Sequence, residues 1–253
     1  MLGRLRRLVE SAILETPIEP YARSTWRSIR RTPRYSPDIE KSHEYDFLTR
    51  CLYKKVLKPD SNCVDVGAHL GLLLRAMLKY APAGRHWAIE PIPQCADFLK
   101  RTFPRATVVQ TALSDAVGTA TFQYFSDRPA YSGLRAQPHV GDAQIEEIPV
   151  TLDTLDRVVG DTPIDVVKID VEGGEFHVLA GARELLERHR PLLVFEHGSG
   201  AIGPYGVTSA DLYRLLSDFG YRISVLPEWF ENKQALSLDA FTSTNEWMFV
   251  AHH

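Results

Sequence analysis

Four carboxylates and a histidine follow two short apolar runs in the second half of the chain. After VVKI come Asp170, Glu172 and Glu175, and after LLVF come Glu196 and His197. Carboxylate oxygens are ligands that magnesium accepts, and histidine titrates near neutral pH. We therefore predict Asp170, Glu172 and His197 as catalytic residues, with His197 as general base. A second route to activating a hydroxyl is a divalent metal ion held by Asp170, Glu172 and Glu196.

Each of these groups also has a purely structural interpretation, which stays open at this point. Glu172 can cap the following helix or pair with Lys168 instead of binding a metal ion. A single histidine after a strand, such as His197, is more often a hydrogen-bonded structural group than a base. Glu175 is expected to begin the next helix, where a carboxylate suits the positive end of the helix dipole.

The stretch VDVGAHLGL ends one predicted strand and opens a helix, which is where open α/β sheets bind ligands. Gly67 permits a sharp backbone turn, and Gly71 permits the close approach of a ligand. The dinucleotide pattern G-x-G-x-x-G would need glycine at position 69, where His69 stands. Asp65 would repel a pyrophosphate but suits a ligand that carries an ammonium group and a ribose. Glycines in this place also serve purely structural turns, so the pattern alone does not decide.

A second acidic residue follows about one βα unit later. Glu90 ends the predicted strand HWAIE, where a carboxylate can bind both hydroxyls of a ribose. This supports an adenosine-containing ligand without choosing between a nicotinamide dinucleotide and other adenosine cofactors. Ser114 and Asp115, in TALSD, could reach an adenine edge, although the same residues are typical of a turn.

A long polar segment, RPAYSGLRAQPHVGD, lies between two extended stretches. Tyr131, Ser132, Arg135 and His139 offer aromatic and hydrogen-bonding groups that suit a sugar. A long polar loop inside a compact domain is usually functional or disordered. We predict these four residues as substrate-binding residues of a lid, and the alternative of a disordered loop stays open.

The elements that position these residues alternate along the chain. Strands are predicted at NCVDVG, RHWAIE, ATVVQTA, IDVVKID and PLLVFEH, and helices at LLLRAMLKY, PQCADFLKRTF, EFHVLAGARELLERH and SADLYRLLSDF. This alternation predicts βαβ units and a parallel α/β sheet covered on both faces. TATFQYF and EEIPVTL are two further extended segments. The last strands, YRISVL and EWMFVA, have no helix predicted between them and are expected to be antiparallel.

Residues 1–41 are predicted as a basic helical extension and residues 42–253 as the catalytic domain. Leu5, Leu8, Val9, Ala12 and Ile13 recur at helical spacing among many arginines, which predicts a basic amphipathic helix. Such a helix can pack on the domain or cover its cleft. It can also contact an acidic membrane surface, and both interpretations stay open.

Size and charge exclude several classes of protein. The chain has 253 residues and a formal net charge of −3, so its overall charge does not attract nucleic acid. Three widely spaced cysteines form no C-x-x-C pair, which argues against a disulfide framework or a zinc site and fits a reducing compartment. No apolar run could span a bilayer, and the N-terminus lacks a secretory h-region. We therefore expect a cytoplasmic protein.

Taken in order, VDVGAHLGL, AIEPIP, QTALSD, VTLDTL and VVKIDVEGGEFHVLAGA resemble the FkbM-type methyltransferases. The resemblance covers roughly residues 42–200, and its most specific part runs from Lys168 to Glu175. It implies a Rossmann-like, seven-stranded, mostly parallel sheet with an antiparallel last strand. It also implies methyl transfer from S-adenosylmethionine to an oxygen, commonly a hydroxyl of a sugar, glycolipid or polyketide.

By position, the resemblance assigns cofactor contacts to the loop, the ribose acid and the end of the fourth strand. These residues are Asp65, Gly67, Ala68, His69, Gly71, Glu90 and Asp170. A nicotinamide-dependent oxidoreductase is a competing enzyme class, disfavoured by His69 and by the antiparallel terminal strands. The third class is a membrane-associated protein that binds a cofactor without catalysis.

Overall fold

A computed structural model describes residues 37–125, 132–135 and 145–253. The predicted N-terminal helix and the predicted substrate residues Tyr131 and His139 lie outside these ranges. The chain divides into two compact units, residues 1–47 and 48–253. Among the described residues, no helix combines the length and the apolar character that crossing a membrane requires.

The strands and helices alternate as the sequence predicts. The strands are β1 (Cys63–Val66), β2 (His86–Ile89), β3 (Thr107–Val109), β4 (Ala112–Leu113), β5 (Gly118–Phe125), β6 (Ile145–Asp153), β7 (Val166–Ile169), β8 (Leu192–Glu196), β9 (Arg222–Val225) and β10 (Met248–His252). The helices are α1 (Pro37–Val56), α2 (Leu72–Tyr80), α3 (Pro93–Thr102), α4 (Leu155–Val159), α5 (Glu175–Ala180), α6 (Arg183–Arg188), α7 (Ser199–Ile202), α8 (Ser209–Asp218), α9 (Leu226–Phe230) and α10 (Leu238–Ser243).

Seven strands form the main sheet in the order β3-β2-β1-β7-β8-β10-β9. All neighbours are parallel except that β10 is antiparallel to both β8 and β9. This confirms the predicted fold class, a Rossmann-like α/β sheet with an antiparallel last strand. The strand order reverses between β1 and β7, which makes the carboxyl ends of these strands the expected ligand crevice.

A second, smaller sheet holds the two extended segments predicted before the fourth strand of the main sheet. Its order is β4-β6-β5, with β5 and β6 antiparallel and β4 parallel to β6. The stretch ATVVQTA, predicted as one strand, is divided between the two sheets. The division follows from pairing, since Ala112 and Leu113 lie beside Leu152 and Asp153 of β6 instead of continuing β3.

Two predictions about helices are also wrong. The stretch EFHVLAGARELLERH is two helices, α5 and α6, interrupted at Gly181, where an added Cβ would lie 2.1 Å from the backbone oxygen of Ser114. The connection between β9 and β10, predicted without a helix, holds α9 and α10. Ser237 caps α10 by accepting a hydrogen bond from the backbone N–H of Ala240.

The central strands are buried along their whole length. All four residues of β1, β2 and β7 are buried, which explains their nearly continuous apolar sequences. Two charged residues interrupt this pattern: Asp65 in β1 and Lys168 in β7. Charged side chains are rarely fully buried unless they are paired, so Asp65 and Lys168 are expected to have charged partners near the carboxyl ends of these strands.

Candidate active site

Lys168 and Asp65 form a buried ion pair between β1 and β7. The two residues are partners in the parallel register and are 4% and 1% exposed. The Lys168 Nζ lies 3.3 Å from Asp65 Oδ1 and 3.3 Å from Asp170 Oδ2. It also donates a hydrogen bond of 2.8 Å to the backbone oxygen of Gly67. One ammonium group thus ties the ends of two strands to the turn that follows β1.

The charge of Lys168 is maintained by its partners. Burial acts to lower the pKa of Lys168, but the carboxylates of Asp170 and Asp65 outweigh it and raise that pKa above its ordinary value. The lysine therefore stays an ammonium group at neutral pH. Sequence reasoning considered it only as a partner of Glu172. The signal that could have identified it is a lysine inside an apolar run, because such a charge requires acidic neighbours.

Gly67 is required by the close contact of the two strand ends. Its φ of 72° lies in the left-handed region, and an added Cβ would lie 1.8 Å from the backbone oxygen of Asp170. Both facts exclude a larger residue, because either one strains or displaces the backbone. The sharp turn predicted at Gly67 is present at the switch point of the sheet.

The packing around Gly71 by itself requires a glycine at this position. An added Cβ there would lie 2.4 Å from the ring of Phe103 and 2.8 Å from Leu99. The glycine therefore lets the loop pack on helix α3 and the residues that follow it, and the expected close approach of a ligand is not needed to explain it. Ala68 is buried in this same apolar cluster. Cofactor contacts from Ala68 and Gly71 stay a prediction.

His69 and Glu90 connect the loop to the end of β2. His69 takes a left-handed φ of 46°, at the position where the dinucleotide pattern requires glycine. Its backbone N–H donates to Glu90 Oε2 at 2.8 Å, and the N–H of Ile92 donates to Glu90 Oε1 at 2.9 Å. Burial raises the pKa of Glu90. A carboxylate has about four acceptor positions, so two remain for hydroxyl groups of a ligand.

Ser114 and Asp115 make contacts typical of a turn. The Ser114 hydroxyl donates to Asp115 Oδ1 at 3.2 Å, and the Ser114 backbone N–H donates to the oxygen of Asp153. Asp115 Oδ2 also lies 3.5 Å from His177 Nδ1. These contacts support the structural alternative, and the adenine contact stays a prediction.

Asp170, Glu172 and Glu196 come together at the carboxyl ends of β7 and β8. Each contributes an oxygen, and these oxygens lie within 4.8 Å of one another. Burial raises the pKa of Glu172 and of Glu196 well above ordinary values, and the nearby Asp170 raises both further. Like charges this close resist full ionisation, so in the acid cluster of Asp170, Glu172 and Glu196 both burial and mutual repulsion favour the protonated forms of Glu172 and Glu196.

Glu175 begins helix α5, as predicted, but it is buried instead of standing at an open helix end. It is 1% exposed, and its Oε1 accepts a 2.9 Å hydrogen bond from the backbone N–H of Gly173. Burial is the largest cause that raises the pKa of Glu175, to about 7. The carboxyl group therefore supports the loop that carries Glu172.

The His197 side chain contacts Ser209 and Phe241. Its Nε2 is 2.9 Å from the Ser209 hydroxyl, and its ring stacks on Phe241 with centroids 5.2 Å apart. Burial lowers the pKa of His197 to about 4. Consecutive residues of an extended chain point to opposite faces, so Glu196 and His197 face different sides. These contacts favour the structural alternative for His197, and its role as a base stays a prediction.

Ser132 and Arg135 are the described members of the predicted substrate segment. The Ser132 hydroxyl accepts a 3.0 Å hydrogen bond from the backbone N–H of Phe125, and Gly133 pairs with Gln123 of β5. Arg135 lines an open cavity of about 430 Å³ together with Gln123 and other residues of β5 and β6. Ser132 thus anchors the segment, while Arg135 is placed where a ligand can reach it.

A protein-family model and several known proteins are similar to parts of this chain. The model of the methyltransferase FkbM domain matches residues 65–223. The chain is 30% identical over 155 residues to methyltransferase sdnD of Sordaria araneosa, covering 48% of this chain and 60% of that protein. It is 29% identical over 178 residues to the 2-O-methyltransferase NoeI of Sinorhizobium fredii, covering 64% and 73%.

Two further similarities involve longer proteins. The AMB antimetabolite synthetase AmbE of Pseudomonas aeruginosa is 29% identical over 210 residues, which is 67% of this chain but 10% of the synthetase. A crystal structure of a methyltransferase FkbM from Methylobacillus flagellatus is 18% identical, with a TM-score of 0.48, over 79% of this chain and 48% of that one. This chain therefore spans only part of several proteins that it resembles.

Proposed function

The chain belongs to the FkbM methyltransferase family, and from this premise we propose that it transfers a methyl group from S-adenosylmethionine to a hydroxyl group of a small metabolite. The proposed acceptor is a saccharide or a glycolipid, with a polyketide as a further member of the same class. The observation that carries the proposal is the matched region itself. It contains the glycine loop, Glu90 and the acid cluster, which all follow the carboxyl ends of neighbouring parallel strands on either side of the switch point.

The residues at this edge fit S-adenosylmethionine. Glu90 retains acceptor positions for the ribose hydroxyls, since each of its oxygens receives one backbone N–H. The turn from Gly67 to Gly71 would hold the rest of the cofactor. Asp65 is committed to Lys168, so its contribution is to hold the loop in place through that lysine. When bound, the cofactor supplies an electrophilic methyl group.

Methyl transfer to a hydroxyl also needs an acceptor for the proton. We assign this task to the acid cluster, and we propose Asp170 and Glu172 as the candidate general bases. A general base works best when its pKa lies near the working pH, and burial raises the pKa of Glu172 in that direction. The remaining work is positioning of the acceptor oxygen on the axis of the methyl group.

A divalent cation at the acid cluster is the second candidate for activating the hydroxyl. The oxygens of Asp170, Glu172 and Glu196 lie close enough together, within 4.8 Å, to share one ion. Magnesium bound there would lower the pKa of a coordinated hydroxyl group. Titration calorimetry with Mg²⁺ and methyl transfer after exhaustive chelation test this candidate, and full activity without metal would remove it.

The cofactor assignment is tested by titration calorimetry of the full chain with S-adenosylmethionine, S-adenosylhomocysteine and NAD. We expect binding of the first two and none of NAD. A protein that binds NAD alone would be an oxidoreductase, and the proposal would be wrong. Family membership gives that alternative no support.

The acceptor class is tested by formation of S-adenosylhomocysteine with a panel of methyl glycosides and glycolipids. The 2-O-methyltransferase in the name of NoeI supports a hydroxyl acceptor. Cofactor binding without turnover on any hydroxylated compound would favour the non-catalytic alternative. Asp170→Asn and Glu172→Gln are expected to reduce turnover, with Glu187→Gln, on helix α6, as the control.

A further inference from the structure

Tyr205 lies directly on the two glycines that follow Glu172. An added Cβ at Gly173 would lie 3.1 Å from Tyr205 Cε2, and one at Gly174 would lie 3.3 Å from Tyr205 Cε1. Tyr205 ends the short 3-10 helix Gly203–Tyr205, which follows α7 beyond the carboxyl end of β8. An added Cβ at Gly173 would also lie 2.2 Å from the backbone oxygen of Ala201, so Gly173 makes room for α7 as well as for the ring, and Gly174 makes room for the ring beside the acid cluster.

The hydroxyl of Tyr205 reaches the segment of residues 132–135. An added Cβ at Gly133 would lie 3.2 Å from Tyr205 Oη and 3.5 Å from the Cβ of Glu172. The backbone N–H groups of Leu134 and Arg135 act to lower the pKa of this hydroxyl, while burial, the largest cause, raises that pKa. The Oη is buried, and within the described residues it has no hydrogen bond of normal geometry.

The 132–135 segment is held at two places. On one side Gly133 exchanges backbone hydrogen bonds with Gln123, and Ser132 accepts from Phe125. On the other side, the atoms nearest to an added Cβ at Gly133 include Tyr205 Oη and the Cβ of Glu172. Tyr205 thus lies between the 132–135 segment, which pairs with the second sheet, and the loop that carries Glu172.

We propose that Tyr205 is a positioning residue that holds the 132–135 segment against Glu172, and that this segment forms one wall of the acceptor site. The inference rests on the proposed function, because it assigns the acceptor to the acid-cluster side of the crevice. The ring supplies the packing on Gly173 and Gly174, and the hydroxyl sets the distance to Gly133. Cofactor contacts at the glycine loop and at Glu90 do not involve Tyr205.

Amide hydrogen exchange of the full chain tests the contact without any acceptor. Tyr205→Ala is expected to raise the exchange rate of the Phe125 and Gly133 amides by about tenfold, because both donate hydrogen bonds at the held segment. Tyr221→Ala is the matched control. The Tyr221 hydroxyl donates to Pro191 at the opposite, amino end of β8, so exchange at these amides should stay within about twofold.

A double-mutant cycle separates positioning from general stability. Gly133→Ala adds a methyl group 3.2 Å from Tyr205 Oη, closer than ordinary contact. Tyr205→Phe removes that oxygen and makes room for the methyl group. We therefore expect Gly133→Ala alone to speed exchange in the segment, and the combined variant to return to the rate of Tyr205→Phe. Additive effects would overturn the direct contact.

Turnover on the methyl glycosides of the panel tests the acceptor wall. Tyr205→Ala should raise the acceptor KM by about tenfold while the affinity for S-adenosylmethionine, measured by calorimetry, stays within about twofold. An unchanged KM with altered exchange would overturn the acceptor wall and leave the contact. Wild-type protein that binds no S-adenosylmethionine, or turns over no acceptor, would overturn the proposed function and with it the acceptor role, whatever the exchange data give.

Discussion

Replacing Lys168 with methionine tests whether one buried ammonium group holds the functional edge together. Methionine has a similar length but no charge, so the substitution keeps the volume and removes the partner of Asp65. At an effective dielectric constant of ~20, a pair separated by 3.3 Å interacts by about 5 kcal/mol before desolvation. Breaking a buried pair by removing one partner costs about 3–5 kcal/mol, because it leaves an uncompensated charge. We expect a loss in this range at pH 7.

The loss should depend on pH in a defined direction. Burial already raises the pKa of Asp65 in the wild-type protein, and removal of the ammonium group raises it further. In the variant Asp65 therefore binds a proton more readily in the folded state than in the unfolded state. Stability is then present below the unfolded pKa of about 3.9 and is lost as pH rises. The difference between variant and wild type should grow from pH 4 to pH 7.

Urea denaturation at several pH values measures this difference, and two further variants make it interpretable. Lys233→Met removes an exposed lysine that pairs with Glu228 and Glu231, and it should leave the urea midpoint nearly unchanged. Asp65→Asn combined with Lys168→Met removes both charges and should recover part of the loss. A cost below about 1 kcal/mol for Lys168→Met, or no recovery in the double variant, would refute the reasoning.

Three further changes address neighbouring groups. Glu90→Gln should weaken S-adenosylmethionine binding by about tenfold in calorimetry, because the NH2 group of the glutamine would face the N–H of His69 or of Ile92, and two donors cannot form a hydrogen bond. Unchanged affinity would show that the pocket is misplaced. His197→Gln should leave turnover within a few fold. The wild type should lose up to about 3 kcal/mol of unfolding free energy as pH falls from 6.5 towards 4, because folded His197 resists protonation, and the variant should not show this loss. A large fall in turnover would instead support His197 as the base. Glu175→Gln should stabilise the protein at pH 8 by up to about 3 kcal/mol and have no effect below pH 4.5. The reason is that Glu175 has a pKa of about 7 in the folded protein, above its value in the unfolded chain, so its ionisation costs stability as pH rises. Equal urea midpoints of variant and wild type at pH 8 would contradict this.

The sheet could be predicted because its signal is repeated along the chain. Five apolar runs separated by amphipathic stretches leave few topologies. The antiparallel ending was predicted because no helix was expected between YRISVL and EWMFVA, and the ending is confirmed although that connection holds α9 and α10. What failed was local. A pattern of apolar residues does not reveal that ATVVQTA changes sheets, since both halves are equally suited to a strand. Nor does it reveal that Gly181 divides a helix, because the reason is the distant backbone of Ser114.

The candidate site divides in the same way. The acid cluster was predictable because neighbouring parallel strands bring their carboxyl ends to one edge. The contacts of His197 favour its structural interpretation, and the sequence contains the reason, because adjacent strand residues face opposite sides. Its backbone N–H still pairs with the oxygen of Trp247, so strand geometry continues through position 197. Tyr205 could not be found from the sequence, because no local pattern links it to Gly173 and Gly133.

The charge balance at this edge bears on the choice between the two routes to an activated hydroxyl. Lys168 neutralises Asp65 and reaches Asp170, whereas burial and the nearby Asp170 raise the pKa of Glu172 and of Glu196 well above the ordinary range. A carboxylate with a raised pKa takes the proton of an acceptor hydroxyl more readily, and it carries that proton after methyl transfer. A divalent cation would instead displace that proton, because metal ligands must be deprotonated. The two routes therefore differ in an observable quantity, since binding of Mg²⁺ at this cluster must release protons in proportion to site occupancy, and a proton-shuttling cluster has no such requirement.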